Sequence, residues 1–168
     1  LSGNVRFTPD AGEKLYRRSL YTYWKRSAPA PSMTLFDAPS REKCTLRRSR
    51  TNTPLQALVT LNDTQFVEAA RAMAQRVMEQ TPNKPVSERI VMAYRMATGV
   101  TPNANAVAQL AEAYQTELTV FQNDPKLATQ FLSIGDSPRN EKLDVSEHAA
   151  MTIITSIILN LDETLTRG

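Results

Sequence analysis

Apolar residues recur every three to four positions along most of the chain, the pattern of amphipathic helices that bury one face. Together with the capping and breaking residues between the apolar runs, this spacing predicts six or seven helices. They cover residues 11–26, 54–61, 64–80, 87–97, 107–121, 125–134 and 145–160. The alternation of apolar and polar residues that is typical of β-strands does not extend over a useful length, so we predict an all-α protein.

Several predicted helices begin at a recognisable cap. The hydroxyl of Thr53 can accept a backbone N–H, and Pro54 needs no N–H at the first helical position. Caps of the same kind stand at Asn62 or Asp63, and at Asn123 or Asp124. These local signals place helix starts independently of any tertiary contact.

The most apolar stretch is "AAMTIITSIILNL", from Ala149 to Leu161. It is shorter than the roughly 20 residues that a membrane span needs, so we predict a buried helix and no membrane span. Because it is apolar nearly all round, we expect it to be the central element of a single helical domain over residues 1–168, with six or seven helices in total.

Prolines between Pro29 and Pro39 interrupt this helical pattern. Proline restricts its own backbone and that of the residue before it, which favours extended or turn conformations. We therefore predict an irregular, proline-rich arm over residues 27–52. Because the sequence begins with Leu1 rather than methionine, we also expect the chain to be a fragment or a processed product, with any targeting segment upstream of it.

The net charge of +3 conceals an uneven distribution along the 168 residues. Residues 1–50 hold 11 Lys/Arg against 4 Asp/Glu, a net charge of +7, whereas the remainder has a net charge of −4. The basic third either meets an anionic partner or lies against the acidic remainder of the same chain, and we favour the second interpretation.

Few residues suggest catalysis or metal binding. Cys44 and His148 are the only residues of their types, which excludes an internal disulfide, a zinc cluster of cysteines and histidines, and a haem-attachment motif. We predict no catalytic residue, no metal ligand and no cofactor in this chain, and whether it is part of an enzyme stays open. We expect Cys44 to be buried and His148 to lie on the rim of the core at a helix start.

The stretch "YRRSLYTYWKR" mixes bases with aromatics, a composition found in proteins that bind single-stranded nucleic acid. On a helix, however, Tyr16, Leu20 and Trp24 fall on one face and the basic residues flank it. Because a helix buried by its aromatic face would look the same, nucleic-acid binding is the least favoured of our hypotheses.

An arginine run lies in "CTLRRSRTNTPLQAL", directly before the helix that begins at Pro54. In an extended segment Arg48 and Arg50 project to one side and Arg47 to the other. With Asn52 and the positive end of the helix, these residues form a candidate anion-binding site. The alternative, which we favour, is that the arginines anchor the arm by pairing with carboxylates of the same chain. The nearby candidates are Asp37, Asp63, Glu68, Asp162 and Glu163.

The segment from Leu15 to Arg76, with its run "RTNTPLQALVTLND", and the closing "IILNLDETLT" resemble the C-terminal part of a known family. This family is the domain of unknown function numbered 1553, described mainly from planctomycetes and found in large exported proteins that often carry a c-type cytochrome module. The resemblance implies a helical region of a longer, extracytoplasmic (periplasmic or secreted) protein, with the haem held by the cytochrome module rather than by this chain.

Two functions from different classes follow. The first is a non-catalytic interaction or scaffold domain that packs against other domains of the same polypeptide, among them a cytochrome module, in a protein that handles polysaccharides. The second is the part of an enzyme that binds an anionic substrate, such as a sulfated or uronic sugar, through Arg47, Arg48, Arg50 and Asn52, with the catalytic groups upstream.

Overall fold

A computed structural model describes residues 12–17, 19–21, 24, 29–47 and 51–165. Within these residues there are eight α-helices, two short 3-10 helices and no β-strand, which confirms the all-α class. By its internal contacts the chain divides into two compact units, Leu1–Val59 and Thr60–Gly168. The single domain over residues 1–168 stays a prediction.

The first unit begins with 3-10 helices at Gly12–Tyr16 and Ser19–Tyr21. The predicted α-helix over residues 11–26 is therefore wrong where the structure describes it. Tyr16 and Leu20, which were to form its buried face, are largely exposed. Since most helical stability in proteins comes from packing of an apolar face, a stripe that stays in water does not sustain a long helix.

The proline-rich arm contains one short helix, α1 (Pro31–Leu35), with proline at its first position. The fixed backbone angle of Pro31 suits a first helical turn, and its missing N–H has no partner to lose there. The rest of the described arm is irregular. Cys44, which we expected to be buried, is exposed.

Helix α2 (Pro54–Asn62) begins where Thr53 and Pro54 predict it. The second unit then contains α3 (Thr64–Gln80), α4 (Val86–Thr98), α5 (Ala104–Asn123), α6 (Pro125–Leu132), α7 (Val145–Leu159) and α8 (Asp162–Leu165). Asp63 caps α3 and Asp124 caps α6, each accepting hydrogen bonds from backbone N–H groups of the first turn. These caps confirm the second member of each predicted pair.

Helix α7 is the centre of the second unit, as predicted, and packs against α3, α4, α5, α6 and α8. Its fully buried side chains include Met151, Ile154 and Ile158, which meet Ile90 of α4 and Leu132 of α6 in one apolar core. In the described part of the chain no helix is both long and apolar enough to cross a bilayer.

Polar side chains of α7 are accommodated in this core by hydrogen bonds. The hydroxyl of Thr155 lies 2.9 Å from the carbonyl oxygen of Ala70 on α3 and 3.0 Å from that of Met151 within its own helix. Because the hydroxyl has acceptors on both helices, it is not left unsatisfied by burial. Threonine therefore contributes to the α3–α7 contact rather than weakening it.

Candidate functional site

The structure places only part of the predicted anion site. Arg47 and Asn52 are both exposed, while Arg48 and Arg50 lie outside the described residues. A site formed by all four residues, and the alternative of internal anchoring by the arginines, both stay predictions.

Hydrogen bonds within the first unit join the arm to α2, and others join two parts of the arm to each other. The side-chain amide of Gln56, which is buried, donates to the carbonyl oxygen of Leu35 at 2.7 Å and to the hydroxyl of Thr51 at 3.1 Å. Asp37 accepts from the backbone N–H of Thr51 at 2.9 Å and from its hydroxyl at 2.6 Å. Asp37, one of the carboxylates expected to anchor the arm, thus joins the middle of the arm to its C-terminal end through Thr51.

Gln56 also completes the cap of α2. Its backbone N–H donates to the Thr53 hydroxyl at 3.3 Å, and its side-chain oxygen accepts from the Thr53 backbone N–H at 2.9 Å. This is the reciprocal capping arrangement, whose signature is a threonine followed three residues later by glutamine. The cap at Thr53 is confirmed, and the role of Gln56 could have been found from "TPLQ".

A buried pair of charges occupies α3 in the second unit. Glu68 and Arg71 are 2% and 4% exposed and lie one turn apart, with 3.6 Å between Glu68 Oε1 and Arg71 Nη2. The Glu68 carboxylate also accepts from the backbone N–H groups of Asp136 at 3.1 Å and Ser137 at 2.7 Å. Glu68 was expected to serve an arginine of the arm, and the structure pairs it with Arg71.

Arg71 completes a clamp on the segment between α6 and α7. It donates to the carbonyl oxygen of Leu132 at 3.0 Å, to that of Ser137 at 2.6 Å and to the Ser137 hydroxyl at 2.7 Å. Gly135 lies between these contacts with φ +98°, and a Cβ atom there would stand 2.8 Å from the Cβ of Glu68. The close approach of Glu68 therefore requires glycine at this position. We refer to Glu68, Arg71, Gly135 and Ser137 as the Glu–Arg clamp.

His148 lies beside the clamp and not on the rim of the core, so that interpretation is wrong. It is completely buried on α7, and its Nε2 lies 3.3 Å from the carbonyl oxygen of Arg71. A carbonyl only accepts, so the Nε2 atom carries the hydrogen. Burial lowers the pKa of the imidazole, the charges of Arg71 and Arg139 act in the same direction, and the Arg71 carbonyl and Glu79 oppose them. His148 is therefore neutral near pH 7.

Arg71 is not among the predicted site residues, although the sequence carries a signal for it. Arg71 falls on the same helical stripe as Val67, Ala74 and Met78, all of which are buried. A charged residue on an apolar stripe needs an internal partner, and Glu68, three residues earlier, can supply one. The partners in residues 132–137 are remote in sequence and carry no local signal.

The second unit also has an open groove of about 610 Å³ along α4. Val91, Met92 and Met96 form its apolar side, with Glu88 and Arg95 beside them. None of the residues predicted to form a site lies in it. Among the described residues no group of three or more His, Cys, Asp or Glu side chains is arranged to hold a metal ion.

The model of one protein family, described as "PSD1: Protein of unknown function (DUF1553)", matches residues 3–114. No curated protein and no solved structure gives a significant match to the chain.

Proposed function

Because the chain belongs to the DUF1553 family, whose function is unknown, we propose its role from its surface: it is a helical interaction domain that docks onto another domain of the same polypeptide. The docking element is a pair of exposed leucines on α2, Leu55 and Leu58, which we call the leucine pair.

The observation that supports the proposal is the exposure of the leucine pair. Leu55 and Leu58 are 60% and 58% exposed and lie one turn apart, so their side chains share a face of α2. Gln56, which points away from that face, is buried against the arm. One side of α2 is thus engaged within the first unit while the other presents two large apolar side chains to solvent.

Other large apolar side chains of the first unit are exposed as well. They are Tyr16, Leu20, Tyr21 and Leu46. Single exposed apolar residues are normal on a soluble protein, but paired leucines on one helix face in a unit with several more are typical of an interaction surface. Covering the leucine pair would remove apolar area from water, which favours association.

The wider setting of the proposal rests on the family resemblance. We place the chain in a large exported protein of planctomycete type, in the periplasm or outside the cell, where its neighbours include a cytochrome module and its polypeptide handles polysaccharides. In this setting the chain contributes the contact between modules and no chemistry of its own.

Photo-cross-linking tests the proposal. p-Benzoylphenylalanine is introduced at Leu55 or Leu58 in the protein produced in its own cells, and at Leu127 as a control. Leu127 is an exposed leucine on α6 in the second unit. We expect cross-links from the leucine pair, and none from Leu127, to peptides of the same polypeptide outside residues 1–168, identified by mass spectrometry. Equal yields at all three positions, or cross-links from the leucine pair only to other proteins, would contradict the proposal.

A further inference from the structure

The arm contains an exposed segment that does not include the leucine pair. Every side chain from residue 40 to residue 47 is exposed, and we call this segment the basic loop. Its base is closed where Asp37 accepts two hydrogen bonds from Thr51. The loop therefore projects from a fixed base, which is the geometry of many binding loops.

One contact and two unusual backbone angles occur in the basic loop or close to it. The guanidinium carbon of Arg41 lies 5.1 Å from the centre of the Trp24 ring, within the range of a cation–π contact. Asp37 and Arg41 have φ angles of 57° and 61°, in the left-handed region that residues with a side chain rarely adopt. Asp37 also accepts the two hydrogen bonds from Thr51, and Arg41 also makes the Trp24 contact.

The basic loop combines an excess of positive charge with one exposed apolar side chain. Arg41, Lys43 and Arg47 are cations, against one anion, Glu42. Leu46 stands among them with 99% of its surface exposed. Arg48 and Arg50 lie outside the described residues.

From these features we propose that the basic loop binds an anionic phospholipid surface, with Leu46 entering the boundary between headgroups and acyl chains. Cations near such a surface are attracted by its negative potential, and an apolar side chain gains by leaving water there. A soluble polyanion would satisfy Lys43 and Arg47 equally well but would leave Leu46 in water. The leucine is therefore the feature that favours a lipid surface over an acidic polysaccharide or a nucleic acid.

Co-sedimentation of the full chain with vesicles tests this inference. We expect binding to vesicles of phosphatidylcholine mixed with phosphatidylglycerol, no binding to phosphatidylcholine alone, and a decline as salt rises, because salt screens exposed charges. Lys43→Gln and Arg47→Gln should each weaken binding about fivefold. Leu46→Ser should also weaken vesicle binding. The ratio of its affinity to that of the parent should fall further at high salt, where the charges contribute least.

Matched controls come from the second unit. Arg95→Gln removes an exposed cation from α4, and Leu127→Ser removes an exposed leucine from α6; both should bind like the parent. The inference is overturned if the loop variants also bind vesicles like the parent. It is also overturned if the parent binds dextran sulfate as tightly as vesicles and Leu46→Ser weakens binding to neither. Because the basic loop and the leucine pair share no residue, this experiment and the cross-linking experiment can fail independently.

Discussion

The Nε2 atom of His148 on α7 lies 3.3 Å from the carbonyl oxygen of Arg71 on α3, so the only histidine of the chain donates to the backbone of the residue that holds the α6–α7 segment. Both residues are buried. The surroundings of α3 therefore combine apolar packing and a neutral imidazole at α7 with a buried ion pair that binds the α6–α7 segment, and each can be altered separately.

Stability should depend on pH through His148. Its pKa in the folded chain is lowered by burial from the ordinary value of 6.5. Below that value the unfolded chain takes up a proton that the native chain resists, so the free energy of unfolding should fall as pH decreases, by at most about 1.4 kcal/mol for each pH unit.

Urea denaturation at a series of pH values between 7.5 and 5.5 measures this effect. His148→Gln keeps a donor for the Arg71 carbonyl and has no ionisable group, so it should flatten the profile. Since the chain has no other histidine, the difference between the two profiles isolates this residue. An identical slope in the variant would show that His148 is not the cause.

The Glu–Arg clamp should fail when one charge is removed. Arg71→Met leaves the Glu68 carboxylate buried without its cation, which should cost roughly 3–5 kcal/mol of unfolding free energy. Adding Glu68→Gln should restore part of the loss, because no buried charge is then unpaired. Chemical denaturation of Arg71→Met, Glu68→Gln and the double variant gives the coupling energy between the two residues.

An exposed ion pair supplies the control for the clamp. Lys84 and Glu88 lie 3.2 Å apart with 56% and 55% of their side chains exposed. Lys84→Gln should change stability by less than about 1 kcal/mol, because solvent screens the pair. If Arg71→Met costs no more than Lys84→Gln, the clamp is not a buried ion pair in solution.

Gly135→Ala should destabilise the chain more than Gly99→Ala. Both glycines have positive φ, which costs roughly 1–2 kcal/mol for a residue with a Cβ atom. At Gly99 a Cβ would meet nothing within 4 Å, whereas at Gly135 it would collide with Glu68. Thermal unfolding compares the two, and equal losses would mean that the Glu68 contact contributes nothing.

Gln56 both caps α2 and donates to the arm, and the variant Gln56→Glu can separate these two roles. Gln56→Glu keeps an acceptor for the Thr53 backbone N–H but loses the donor to the Leu35 carbonyl, whereas Gln56→Ala loses both. We expect roughly 1–3 kcal/mol for the unsatisfied carbonyl in either variant. Hydrogen exchange at the Thr53 amide should stay slow in Gln56→Glu and become fast in Gln56→Ala. Fast exchange in both would contradict the capping role.

Most helix positions in the second unit follow from local features of the sequence, namely caps and apolar periodicity. Asp63, and Asp124 before Pro125, start helices through bonds to backbone groups two or three residues away, so no distant contact is needed. The central place of α7 was equally predictable, because a helix that is apolar nearly all round has to be surrounded. The family membership likewise follows from the sequence.

Features that depend on contacts between distant residues can be seen only in the tertiary structure. The segment around Tyr16 carries a helical pattern, yet its described residues form 3-10 helices at Gly12–Tyr16 and Ser19–Tyr21, where Tyr16 and Leu20 are exposed. Arg71 finds its acceptors in Leu132 and Ser137, more than sixty residues away, and no local pattern specifies which carbonyls will be there. Caps and periodicity act within a few residues of the chain, whereas the burial of a charge and the exposure of a leucine depend on which segments meet in the folded protein.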